Sequence, residues 1–150
     1  MRIIVTILIL LICSHTLAHT DRLIEIDGDG NLIGLPTEYL PAIFNRKEMV
    51  LNVQGSTLNV RSCLPNNVDF GDVNVKITSS WYHSRSTLPP YINLSITPDR
   101  GDEYRLLFEL ESLNPISFKK AIRNGKTSIT YHQFKVHEAC TSQRERALPY

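Results

Sequence analysis

The chain lacks the short motifs that usually mark an active site: it has no GxSxG, no HExxH, no CxxC and no glycine-rich phosphate loop. A nucleophile-elbow hydrolase, a zinc peptidase of that type, a thioredoxin-like redox centre and a P-loop nucleotide site are therefore excluded as readings. Charge of one sign is also missing, with 16 Lys and Arg against 15 Asp and Glu. So even a balance leaves no general electrostatic pull toward nucleic acid or an anionic membrane. No apolar run reaches the roughly 20 residues needed to cross a bilayer, so no transmembrane anchor is expected. Cysteine is scarce, at three residues.

What the chain does have begins at its first residue. Basic Met1-Arg2 leads into the apolar stretch Ile3 to Cys13, then polar Ser14-His15, then Thr16-Leu17-Ala18 with small residues where a signal peptidase reads. Residues 1–18 are read as a cleaved signal peptide, and 19–150 as a single small β-rich domain, secreted or periplasmic. Ile12 precedes Cys13 where a lipoprotein signal needs a small residue, which disfavours lipid anchoring. Cleavage discards Cys13 and leaves Cys63 and Cys140 in a compartment that permits oxidation, so the pair is expected to form a disulfide. The competing reading is a catalytic thiol served by His132 or His137.

The dominant hydrophobic period is two, the signature of half-buried strands. Leu51 to Val60 reads as a hairpin with Gly55-Ser56 as its turn, which puts Leu51, Val53, Leu58 and Val60 on one face. Val75, Ile77 and Trp81 alternate with polar residues in a further strand; so do Ile92, Leu94 and Ile96, and then Tyr104, Leu106, Phe108 and Leu110. A last strand is predicted over about Thr127 to Ala139, with a bulge to reconcile Ile129 and Tyr131 with Phe134 and Val136. Leu23 to Asp27 and Asn31 to Leu35 read as a hairpin around Gly28-Asp29-Gly30. Asn114-Pro115 at one end and Asn124-Gly125 at the other predict a short helix carrying Phe118, Ala121 and Ile122 on one face. A second helical turn is expected within Thr37 to Asn45. The fold class is thus mainly β: an antiparallel sandwich or barrel-like domain with one or two short helices and one disulfide.

Three groups of residues merit a functional reading. Asp27, Asp29 and Asn31 offer oxygen ligands at alternate positions, with Glu38 twelfth from Asp27 as in a calcium loop. Leu32, however, stands where such a loop needs glycine, and Asp, Gly and Asn are ordinary turn residues, so no metal or other cofactor is expected. His132 and His137 sit at an odd spacing that places them on opposite faces of a strand, which disfavours a shared ligand. The strongest candidate is the connection from Trp81 to Tyr91. Trp81 reads as core by its phase, whereas Tyr82, His83, Arg85 and Tyr91 combine aromatic and cationic side chains beside the stiff Pro89-Pro90 pair.

These features together predict an exported, non-enzymatic binding or inhibitory module that docks a protein or other macromolecule outside the cytoplasm. A small hydrolase with a dispersed site is one alternative, and a self-assembling structural protein that pairs through an edge strand is another.

Overall fold

The computed structural model describes residues 21–68, 70–81, 88–99 and 101–144. The proposed signal peptide lies outside them. Eleven strands follow in order: β1 (Arg22–Ile26), β2 (Leu32–Ile33), β3 (Ala42–Asn45), β4 (Val50–Val53), β5 (Ser56–Asn59), β6 (Val73–Ser80), β7 (Tyr91–Pro98), β8 (Glu103–Glu109), β9 (Pro115–Asn124), β10 (Ser128–Gln133) and β11 (Gln143–Arg144). Among the described residues, helix is limited to 3-10 turns at Thr37–Tyr39 and Val60–Cys63. All pairings are antiparallel, giving a seven-stranded sheet in the order β10-β9-β8-β7-β6-β1-β2 and a four-stranded sheet in the order β11-β5-β4-β3. Among the described residues no helix is long and apolar enough to cross a membrane.

The period-two pattern explains the core. Val75, Ile77, Ile92, Leu94, Ile96, Leu106 and Phe108 come from alternate positions of β6 to β8, and cross-strand pairing lines them up as Ile77–Leu94–Leu106 and Ile92–Phe108. Phe44, Leu51, Val53 and Leu58 enter the same cluster from the four-stranded sheet. Opposite them, Asn74, Lys76 and Arg105, exposed, and Asn93 and Ser95, half-buried, occupy the other face of the large sheet.

Three expectations change in detail. The β4–β5 hairpin turns at Gln54-Gly55, both with positive φ (50° and 81°), so Leu51 pairs with Leu58 and Val53 with Ser56. The partners shift by two residues relative to a Gly55-Ser56 turn, which preserves side-chain parity, and Leu51, Val53, Leu58 and Val60 are all buried as expected. Asn52 fixes the register by donating to the Thr57 hydroxyl at 2.9 Å.

The helix expected over Asn114 to Gly125 is instead strand β9. Helix propensity is a weak prior, and here the ladder with β8 overrides it: Leu106 pairs with Phe118, and Phe118 stacks edge-on against Phe108 at 5.2 Å. Three residues connect β9 to β10, with Gly125 at φ 74°, and Ile122 faces Thr130 and Ala121 faces Tyr131. The bulge also moves. Register slips between Leu107 and Phe108 in the β8–β9 pair, whereas β10 simply ends at Gln133. One residue beyond it the Phe134 N–H still donates to the Phe118 carbonyl across from it, and the Phe134 ring packs on Phe118 at 5.6 Å and on Tyr104 at 5.9 Å. Plain alternation without a bulge resolves the conflict: Tyr131 meets Arg105 on the outer face, whereas Phe134 and Val136 pack against the core.

The two sheets meet at a corner. Asn31 bridges Ile43, and the Phe44 N–H donates to the Gly30 carbonyl at 2.8 Å. Gly30 has φ 88°, and a Cβ there would lie 2.8 Å from the Phe44 carbonyl oxygen. Gly30→Ala should therefore lower stability by about 1–3 kcal/mol through backbone strain alone, with the contact adding to it. Gly28→Ala, where nothing lies within 4 Å, is the control. Equal urea midpoints for the two variants would contradict this account of the corner.

Candidate partner-binding site

The β6–β7 ladder closes on the pair Ser80 and Tyr91, so residues 81–90 form the connection read above as a binding loop. Tyr82, His83 and Arg85 lie outside the described residues. The root of the connection is described, and it is held on several sides. The Ser79 hydroxyl donates to the Tyr91 carbonyl at 2.7 Å, and the Leu110 N–H donates to the Pro90 carbonyl at 2.9 Å. The Tyr91 hydroxyl donates to the Asp21 carboxylate. Trp81, one residue past β6, is half-buried against the core, and the Arg22 guanidinium lies 5.3 Å from its ring centroid. Its phase assigns it correctly to the inner side, although the strand stops just before it.

Partial burial, reinforced by the Asp21 contact, pushes the Tyr91 phenol up to about 12. The folded state thus favours the neutral phenol: the contribution is complete below the ordinary value near 10 and is lost as pH rises from there through about 12. Asp21→Asn should bring the Tyr91 ionisation down, read as the phenolate absorbance difference between each protein and its own Tyr91→Phe variant. An unmoved midpoint would show that burial alone sets the value.

The acidic turn spends its carboxylate on itself. Asp27 Oδ1 accepts from the Asp29 and Asn31 N–H groups at 2.9 and 2.8 Å, and Oδ2 accepts from Asn31 Nδ2 at 2.9 Å. The Asn31 side chain, helped by these backbone donors, holds the Asp27 carboxyl below the usual carboxylate range. The turn therefore joins β1 to β2 by ordinary side-chain capping. Among the described residues no group of three or more His, Cys, Asp or Glu side chains is placed to hold a metal ion.

Cys63 and Cys140 are joined, with Cα atoms 4.6 Å apart and both side chains buried. This removes the catalytic-thiol reading. Cys140 lies in the irregular segment between β10 and β11, not on the last long strand. His132 is exposed on β10, and His137 beyond it accepts the Ala139 N–H through Nδ1 at 3.2 Å.

Two further surfaces escaped the sequence reading. On the solvent face of the large sheet, Asp21, Lys76, Asn93, Ser95, Glu103 and Arg105 line a polar concavity of about 360 Å³. Arg105 there donates to Glu103 at 3.0 Å and lies 4.4 Å from the Tyr131 ring centroid. The other surface is β10 itself, exposed at every residue, with Ile129 at 48% and Tyr131 at 40%. The period-two pattern of β10 signals a strand, but nothing local tells a strand with one covered face from one with none.

The fold and its fastenings define a disulfide-pinned, two-sheet antiparallel β protein. No protein-family model matches the chain, and neither a curated protein nor a solved structure shows significant similarity to it.

Proposed function

We propose that this chain is an exported, non-enzymatic binding or inhibitory module that docks a macromolecular partner through the 82–91 connection, using Tyr82, His83, Arg85 and Tyr91. The observation that supports this reading is the anchored root. Ser80–Tyr91 pairing, the Pro90 carbonyl bond and the Tyr91–Asp21 bond fix where the loop leaves and rejoins the sheet. Fixing the ends reduces the ordering entropy that binding would otherwise cost, and Tyr and Arg are the side chains that most often carry binding energy. Export is supported by the Met1 to Ala18 pattern, and a disulfide is compatible with an oxidising compartment.

The test is capture of the partner from the envelope or medium fraction by the oxidised protein, repeated with Tyr82→Ala, Arg85→Ala and Tyr91→Phe. At least one variant should weaken the complex by about 2 kcal/mol while Tyr82→Ala and Arg85→Ala leave the melting temperature unchanged. Wild-type binding by all three folded variants would remove the loop from consideration, and turnover of a small substrate without any partner would favour the hydrolase.

A further inference from the structure

We infer that β10 is a self-docking edge, on which two copies of this chain pair antiparallel along Ser128–Gln133 and join their seven-stranded sheets into one. This goes beyond the partner-binding reading and uses a different surface.

Beyond the end of the strand the Phe134 N–H donates to the Phe118 carbonyl at 3.0 Å, which sets the alternation along β10. Thr130 and His132 turn their N–H and C=O toward β9, and Ile129, Tyr131 and Gln133 turn theirs to the opposite side. Among the described residues no strand pairs on that side, because β10 is terminal in the sheet order.

Natural sheets usually blunt such an edge with charge, proline or a bulge. Here residues 128–133 read Ser-Ile-Thr-Tyr-His-Gln, without proline, lysine or carboxylate, and the β9–β10 register is unbroken. The nearest flanking charges, Lys126 and Lys135, lie beyond the strand ends.

The edge is also complementary to itself. An antiparallel pair centred on Thr130 sets Ile129 opposite the second copy's Tyr131, and Tyr131 opposite its Ile129. Both residues present their outward N–H and C=O at these positions, so each pairing closes two backbone hydrogen bonds. Both side chains project to the same sheet face, which gives two aromatic–β-branched cross-strand pairs about the two-fold axis. No lysine, arginine or carboxylate within the strand opposes this contact. An unrelated extended peptide would meet the same backbone groups but has no reason to match both side-chain pairs.

Sedimentation of the oxidised protein over a concentration series decides the matter. The apparent mass should rise from that of one chain toward that of two, and rise further with added salt as Lys126 and Lys135 are screened. Tyr131→Pro removes an outward N–H without breaking the β9 ladder, and Ile129→Lys places a charge beside the axis. Each should weaken association by at least about tenfold, since each change enters the interface twice. Leu23→Lys, at a residue 60% exposed near the opposite end of the sheet, should leave association unchanged. Circular dichroism confirms folding, and Ile129→Lys carries the test if the proline variant does not fold. A wild type that stays a single chain at every concentration, or association that survives both β10 variants, overturns the proposal.

Discussion

Reducing the Cys63–Cys140 bridge, or replacing both residues by alanine, should lower the stability of the folded chain by about 4–5 kcal/mol. The figure follows from the 77-residue separation of the two cysteines, because a link across so long a loop removes much of the freedom of the unfolded chain. It is a ceiling for the entropic part, and against a typical total of about 5–15 kcal/mol it is a large share. Burial adds a structural reason: both sulfurs sit in the core cluster, where they tie the 3-10 turn after β5 to the segment between β10 and β11. Urea unfolding with and without reductant measures the loss, and thiol titration of the unfolded oxidised protein should find Cys63 and Cys140 unreactive. Reactivity at both positions, or a midpoint indifferent to reductant, would remove the bridge from the account.

Phe118→Ala should have an effect of similar size, about 3–5 kcal/mol, the usual loss for deleting a fully buried aromatic ring. Phe118 lies at 5.2 Å from Phe108 and 5.6 Å from Phe134, so its ring joins β8 to the residue that follows β10. Phe134 is only partly buried, and Phe134→Ala should cost less. Because the two rings touch, the double variant should fall short of the sum by about 0.5–1.5 kcal/mol. Strict additivity in chemical denaturation would mean that Phe134 stabilises the fold through other neighbours.

The core and the class of fold were legible because period-two patterning acts residue by residue: Ile92, Leu94 and Ile96, or Tyr104, Leu106 and Phe108, need only face inward together to be recognised. The disulfide was legible from cysteine number and the expected compartment. Hairpin turns were less so, since a Gln54-Gly55 turn and a Gly55-Ser56 turn bury the same four side chains. Strand β9 was misread because its end signals, Asn114-Pro115 and Asn124-Gly125, serve a strand and a three-residue turn as well as a helix. What decides between them is the ladder with β8, a pairing that no local pattern contains. Of the candidate site, Tyr91 was legible as an aromatic beside stiff prolines, but its bond to Asp21 joins residues far apart in sequence. An edge strand was foreseen only in general terms; that β10 is the exposed one was not legible, because exposure depends on what the rest of the fold covers.

The strand order also dictates a sequence of events in time. From β6 to β10 every strand pairs with its neighbour in the chain, so five strands can zip together through short loops alone. Strands β1 and β11 differ: the first must find β6 and the second β5, each across a long stretch of intervening chain. Such non-local pairings set the pace of folding, because loop closure precedes the contacts that reward it. Pulsed hydrogen exchange should find the amides of β7 and β8 protected before those of β1, and the reverse order would contradict this reading. The central meander is then the first native surface to exist, and the N-terminal strand, although made first, docks onto a sheet that has already formed.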